Sequence, residues 1–178
     1  MTLAGHLRRW SDAALRHIPA GSPFDVLDFR FAGLSADNRW HEPGVPTLYL
    51  AGDEGVLIAE WGRHFATNRA AHLQALTVER NIFRLALTID AVLDLRREEV
   101  CTAIAIENAP FCFADIAFAR ATARFIRSTT QDQRLLVLSL GFIDDFERWG
   151  LVLFLEKLPP NPDGFISAVT PCGPLRWG

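Results

Sequence analysis

The stretch RWHEPGVPTLYLAGDEGVLIAE, Arg39 to Glu60, decides how this chain is read. Asn38, Pro43, Gly44 and Pro46 punctuate a loop over residues 33 to 46. Thr47 to Ala51 reads as a short buried strand. Gly52-Asp53-Glu54 then opens a helix. Asp53 is a capping residue type, and Val56, Leu57, Glu60, Trp61 and His64 fall near one another on the helix surface. Loop, strand and helix thus offer an arginine, a tyrosine and a glutamate in succession.

Working outward toward the N-terminus, Phe24 to Phe31 is rich in β-forming residues and is expected to be a strand. Leu3, Leu7, Trp10, Ala14 and Ile18 fall at helical spacing, with Pro19 and Gly21 after them, which predicts an amphipathic helix over residues 3–18. Downstream, Arg69 to Thr77 is helical or irregular, Asn81 to Ile89 alternates as a strand, and Ala91 to Leu95 continues extended. Arg97 to Ile104 is a short helix and Phe113 to Arg127 a longer one, whose stripe of Arg120, Arg124 and Arg127 reads as a solvated face. Arg134 to Leu140, Trp149 to Leu155 and Phe165 to Val169 complete the strands. The order lacks a regular strand–helix alternation, so an α+β fold is expected over a doubly wound sheet.

Size and composition agree with a single domain spanning residues 1–178. Charged residues are 22% and apolar ones 49%, and 13 Phe and 5 Trp supply bulk for a core. The net charge of -3 offers no basic field to nucleic acid or anionic membrane. Lys157 is the only lysine, so only individually placed arginines carry meaning. Cys101, Cys112 and Cys172 are odd in number and widely spaced, against a disulfide framework and a zinc site. The N-terminal segment lacks an apolar signal core, and the apolar run Leu135 to Ile143 is too short to span a bilayer. A cytoplasmic protein is expected. Neither phosphate-cradling glycine loop occurs, no serine sits in a G-x-S-x-G elbow, and the five histidines form no metal-ligand pair.

Several segments together resemble the RES domain, a family named for its Arg, Glu and Ser. Phe29-Arg30, Arg39-Trp40, Pro43 to Ala51 and Glu60 look like its first half. Val92 to Leu95 is similar to its VLDL strand, Leu135 to Ser139 to its GLLVPS strand, and Trp149 to Phe154 to its closing strand, over a core of about residues 24–156. His41 stands where the family commonly has Asn, Leu138 where it often has Pro, and the interval before Arg39 is short.

The resemblance implies an ADP-ribosyltransferase-like fold, a mixed and mostly antiparallel sheet flanked by helices. It implies that NAD is consumed as a substrate, with no separate cofactor and no metal, by a toxin paired with an Xre-type antitoxin. Water or phosphate accepts the ADP-ribose, or a protein does; a module that holds NAD or ADP-ribose without cleaving it is the remaining alternative. The implied catalytic residues are Glu60, Arg39 and Ser139, and the substrate-binding residues Arg30, Arg39, Tyr49 and Ser139. Nicotinamide leaves neutral from a cationic bond, so one carboxylate suffices where an ordinary glycosidase needs two. Glu60 would face the charge that builds on the ribose, the arginines the diphosphate, and Tyr49 the rings. Ser139 would bond the ribose or hold Glu60. Read without the resemblance, Glu60 is equally an ion-pair partner of Arg63 and Tyr49 a core tyrosine.

Overall fold

The computed structural model describes residues 3–36, 38–63, 78–129 and 134–176. The segment Arg69 to Thr77, His64 and His72 lie outside the described residues. Among the described residues, six strands and three helices alternate irregularly: β1 (Leu7–Pro19), β2 (Thr47–Ala51), α1 (Glu54–Arg63), β3 (Arg80–Asp94), α2 (Glu98–Ala103), α3 (Ile116–Thr129), β4 (Arg134–Leu138), β5 (Trp149–Phe154) and β6 (Ile166–Pro174). The fold is α+β, as expected.

The sheet closes on itself. Its order is β1-β2-β5-β4-β3, and β3 returns to pair with β1, so five strands form a ring with β6 added to β3. Among the described strands only β3–β4 is a parallel pair. The 15-residue β3 makes closure possible: one edge carries β1, and the other carries β6 along Asn81–Leu87 and β4 along Val92–Asp94. A closed ring leaves few free edges, and it replaces the expected sheet flanked by helices.

Alternation sorts the side chains. On β5, Leu151 and Leu153 point into the ring with Leu48, Leu85, Leu136 and Ala14, drawn from all five of its strands. Val152 and Phe154 point outward, under Ala119, Ala123 and Ile126 of α3. Both faces of these strands are covered, which explains their near-continuous apolar sequence. A third cluster seats Val56, Leu57 and Trp61 of α1 on Leu15 and Ala51.

Three expectations are corrected. Residues 3–18 are not a helix: after a 3-10 turn at Leu3–His6 the chain runs as β1, paired with β3 from Leu7↔Leu93 to Pro19↔Arg80. Trp10, Ala14 and Ile18 are four apart, a spacing that keeps residues on one face of a strand as well as of a helix, and pairing with β3 decides between them. Phe24 to Phe31 is a set of turns, not a strand, because Asp25 Oδ1 and Asp28 Oδ1 accept the backbone N–H of Leu27 and Arg30. The arginine stripe of α3 is not simply solvated. Arg120 donates to the carbonyls of Ala36 and Asn38, Arg124 to Glu42 and Arg127 to Thr47 Oγ1, so α3 ties down the loop that leads into β2.

Candidate active site

A cleft of about 290 Å3 opens on the outer side of β2, β5 and β4, beside α1. Glu60 enters it from the last turn of α1. That helix is started by Asp53, whose Oδ1 accepts the Val56 N–H at 3.1 Å and also receives Arg148. Its apolar face, Val56, Leu57 and Trp61, is buried, which turns Glu60 toward the neighbouring β4–β5 connection.

Ser139 lies there. It is not central in a strand but follows the end of β4, opening a 3-10 turn, Leu140–Phe142. It is 2% exposed, its N–H is held by the Arg148 carbonyl, and its hydroxyl donates to Glu60 Oε1 at 2.8 Å. Arg63 Nη2 donates to Glu60 Oε2 at 2.9 Å. The ion pair and the place in the cleft, alternatives on sequence alone, hold together. With its side chain 35% exposed, Glu60 is oriented on both oxygens yet not sealed from solvent.

Arg39 comes from the loop before β2 and is 8% exposed. Its Nη1 donates to the carbonyls of Phe113 and Ala114, and Trp40 beside it packs on Phe113 with ring centroids 4.9 Å apart. Burial lowers the Arg39 pKa, and Arg63 adds to this, while Glu60 opposes it. Tyr49 on β2 turns its hydroxyl inward, where the oxygen accepts the Trp40 N–H at 3.0 Å and meets His41 Nδ1 at 2.7 Å. Burial raises the phenol pKa and keeps it neutral. Tyr49 is also among the residues that line the cleft.

The structure therefore gathers Arg39, Tyr49, Glu60 and Ser139 around one hollow. Arg30 is not among them. It is 70% exposed, chelated by Asp28 of the same turn and laid over the Phe24 ring at 5.2 Å. Arg16, whose residues were expected on a helix, lines the cleft from β1 instead, with its guanidinium on the carbonyls of Val26 and Asp28. His17, Arg63 and Arg80 are further cleft residues that the sequence reading did not assign to the site. The signal for Arg16 and His17 was a strand assignment for β1. Among the described residues no cluster of His, Cys, Asp or Glu could hold a metal ion, and no helix is long and apolar enough to cross a membrane.

A family model described as the RES domain matches residues 6–163. No curated protein matches this chain. Among solved structures, one similar chain belongs to the crystal structure of the M. tuberculosis MbcT-MbcA toxin-antitoxin complex. The two align with a TM-score of 0.61 at 22% sequence identity, over 96% of this chain and 88% of that one. At that identity the likeness is one of fold.

Proposed function

This chain belongs to the RES domain family, and from that premise we propose that it is a NAD-degrading toxin. It cleaves the bond between nicotinamide and ribose and passes the ADP-ribose to water or phosphate. The observation that carries this reading is the carboxylate of Glu60, fixed by Ser139 and Arg63 and open to a cleft that Arg39 and Tyr49 also line.

The chemistry follows from those groups. The C1′–N bond breaks with its electron pair going to nicotinamide, which leaves neutral. Positive charge then develops on the ribose, facing Glu60. A preoriented charge of this kind lowers the barrier by about 3–4 kcal/mol. Water or phosphate closes a new C–O bond at C1′, and water sheds one proton as it does so. Arg16 and Arg39 add fixed positive charge to the cleft wall, which favours an anionic ligand, whereas Arg30 lies outside it. The Tyr49 ring offers a flat surface to the pyridine or the ribose. NAD is substrate here rather than resident cofactor.

The closed ring with α1 carrying the acid is read as a relative of the ADP-ribosyltransferase fold. An antitoxin is the proposed partner, since the similar solved chain comes from a complex described as a toxin with its antitoxin; the Xre type is what the resemblance to the family implies. The direct experiment is incubation of the purified chain with NAD while nicotinamide release is followed. Release is expected; intact NAD after long incubation at high protein concentration overturns the reading.

A further inference from the structure

The described residues lining the cleft include four arginines, Arg16, Arg39, Arg63 and Arg80, against one carboxylate, Glu60. This occurs in a chain of net charge -3. Three of the four guanidiniums are committed within the protein. Arg16 and Arg39 donate to backbone carbonyls, and Arg63 pairs with Glu60.

Arg80 differs. It opens β3, its Nε donates to His17 Nδ1, and its guanidinium lies over the Trp61 ring, 4.8 Å from the centroid. The imidazole of His17 is itself tilted against Trp61 at 5.0 Å. That arrangement fixes the guanidinium plane, and no carboxylate among the described residues pairs with it. Burial pushes its pKa down to about 10, so it stays charged at neutral pH. The fold partly buries this cation with no carboxylate partner among the described residues, an arrangement whose cost an anion in the cleft relieves. A planar fork held on an indole face suits the oxygens of a phosphate.

We propose that Arg80, seated on Trp61 and steadied by His17, is the clamp for the diphosphate of the cleft's ligand. The assignment rests on the dinucleotide reading above and refines it. Glu60, Trp61 and Arg80 all line the cleft, so the clamp and the carboxylate share one hollow. The substrate class becomes a nicotinamide dinucleotide whose diphosphate lies beyond the reacting sugar, rather than a riboside that carries no phosphate.

Calorimetry on the full chain with inorganic pyrophosphate, and separately with ADP-ribose, tests this. Both bind the unaltered protein, Arg80→Gln weakens each at least tenfold, and Arg30→Gln changes neither. Arg80→Lys, which keeps the charge but not the fork, weakens both at least threefold and serves where the glutamine variant unfolds. Pyrophosphate binding within twofold of the unaltered protein in both Arg80 variants, or no pyrophosphate binding at all, overturns the clamp. The two readings separate cleanly. Arg80-dependent binding without nicotinamide release leaves the clamp and removes the NADase, whereas release with an unchanged KM in Arg80→Gln does the reverse.

Discussion

Ser139 donates a hydrogen bond to Glu60 across 79 positions of sequence, at 2.8 Å, from a site almost sealed from water. A hydroxyl so placed has its single proton committed to Glu60 while that bond stands. Its contribution is the aim of the carboxylate. Hydrogen bonds to charged groups contribute about 1.5–3 kcal/mol. Ser139→Ala is therefore expected to lower kcat about tenfold to a hundredfold with little change in KM, and to leave the melting temperature within a few degrees. Steady-state kinetics of nicotinamide release checks this. A variant with unaltered kcat would assign Ser139 to packing alone.

Glu60→Gln separates charge from shape. The amide keeps the volume and can still accept from Ser139, but it cannot face a cationic ribose. At about 3–4 kcal/mol for a preoriented group, turnover is expected to fall at least a hundredfold with circular dichroism and melting unchanged. Near-normal nicotinamide release from a folded Glu60→Gln protein would remove the role given to this residue.

These elements differ in how plainly the sequence announces them. β2 and α1 were legible because local signals coincide there: a short apolar run, then a capping aspartate, then an apolar face. β1 was not, since Trp10, Ala14 and Ile18 fit either periodicity, and the choice is made by β3, distant in sequence. That single ambiguity hid Arg16 and His17. Arg30 was misplaced for a local reason that is visible only in three dimensions, the capture of its guanidinium by Asp28. Glu60, Arg39, Tyr49 and Ser139 were singled out through resemblance in order, and they line one cleft. No periodicity reveals that Ser139 meets Glu60, because the contact depends on the packing of α1 against the turn after β4.

His41 and Tyr49 make the stability of this region depend on pH. Burial holds the His41 imidazole below its usual range, so the folded protein keeps it neutral where the unfolded chain, titrating near about 6.5, takes up a proton. The unfolded state then binds more protons, and stability falls as pH drops through that value and is fully present above it. The urea midpoint is expected to decline between pH 7.5 and pH 5.5, and His41→Asn, which can still reach the Tyr49 hydroxyl, should flatten that decline. An equal slope in the variant would place the titration elsewhere.

Asp94 is a stability residue. At 2% exposure it accepts from Arg96 Nε at 2.9 Å and Nη2 at 3.0 Å, and it also receives Arg8 from β1. Arg96 in turn reaches the Phe146 carbonyl, so one carboxylate joins β1, β3 and the β4–β5 connection. Removing one partner of a buried ion pair costs about 3–5 kcal/mol. Asp94→Asn, nearly isosteric, is expected to show that loss in urea unfolding while the nicotinamide-release rate per folded molecule is kept. A loss below about 1 kcal/mol would mean that water already screens the cluster.

Gly141 sets how closely α1 approaches the turn that bears Ser139. A Cβ at Gly141 would stand 2.9 Å from Ala59 Cβ, and Ala59 immediately precedes Glu60. Gly141→Ala must therefore separate the two elements by a few tenths of an ångström, lengthening the bond between Ser139 and Glu60. The expected signature is a fall in kcat of about tenfold with KM little changed. Ala59→Gly removes the opposing methyl. Alone it weakens α1 by about 1 kcal/mol without harming the rate, and in combination it should restore most of the activity lost in Gly141→Ala. The four proteins form a cycle whose coupling isolates this contact. A double variant no faster than Gly141→Ala would show that the glycine acts through something other than the clearance of α1.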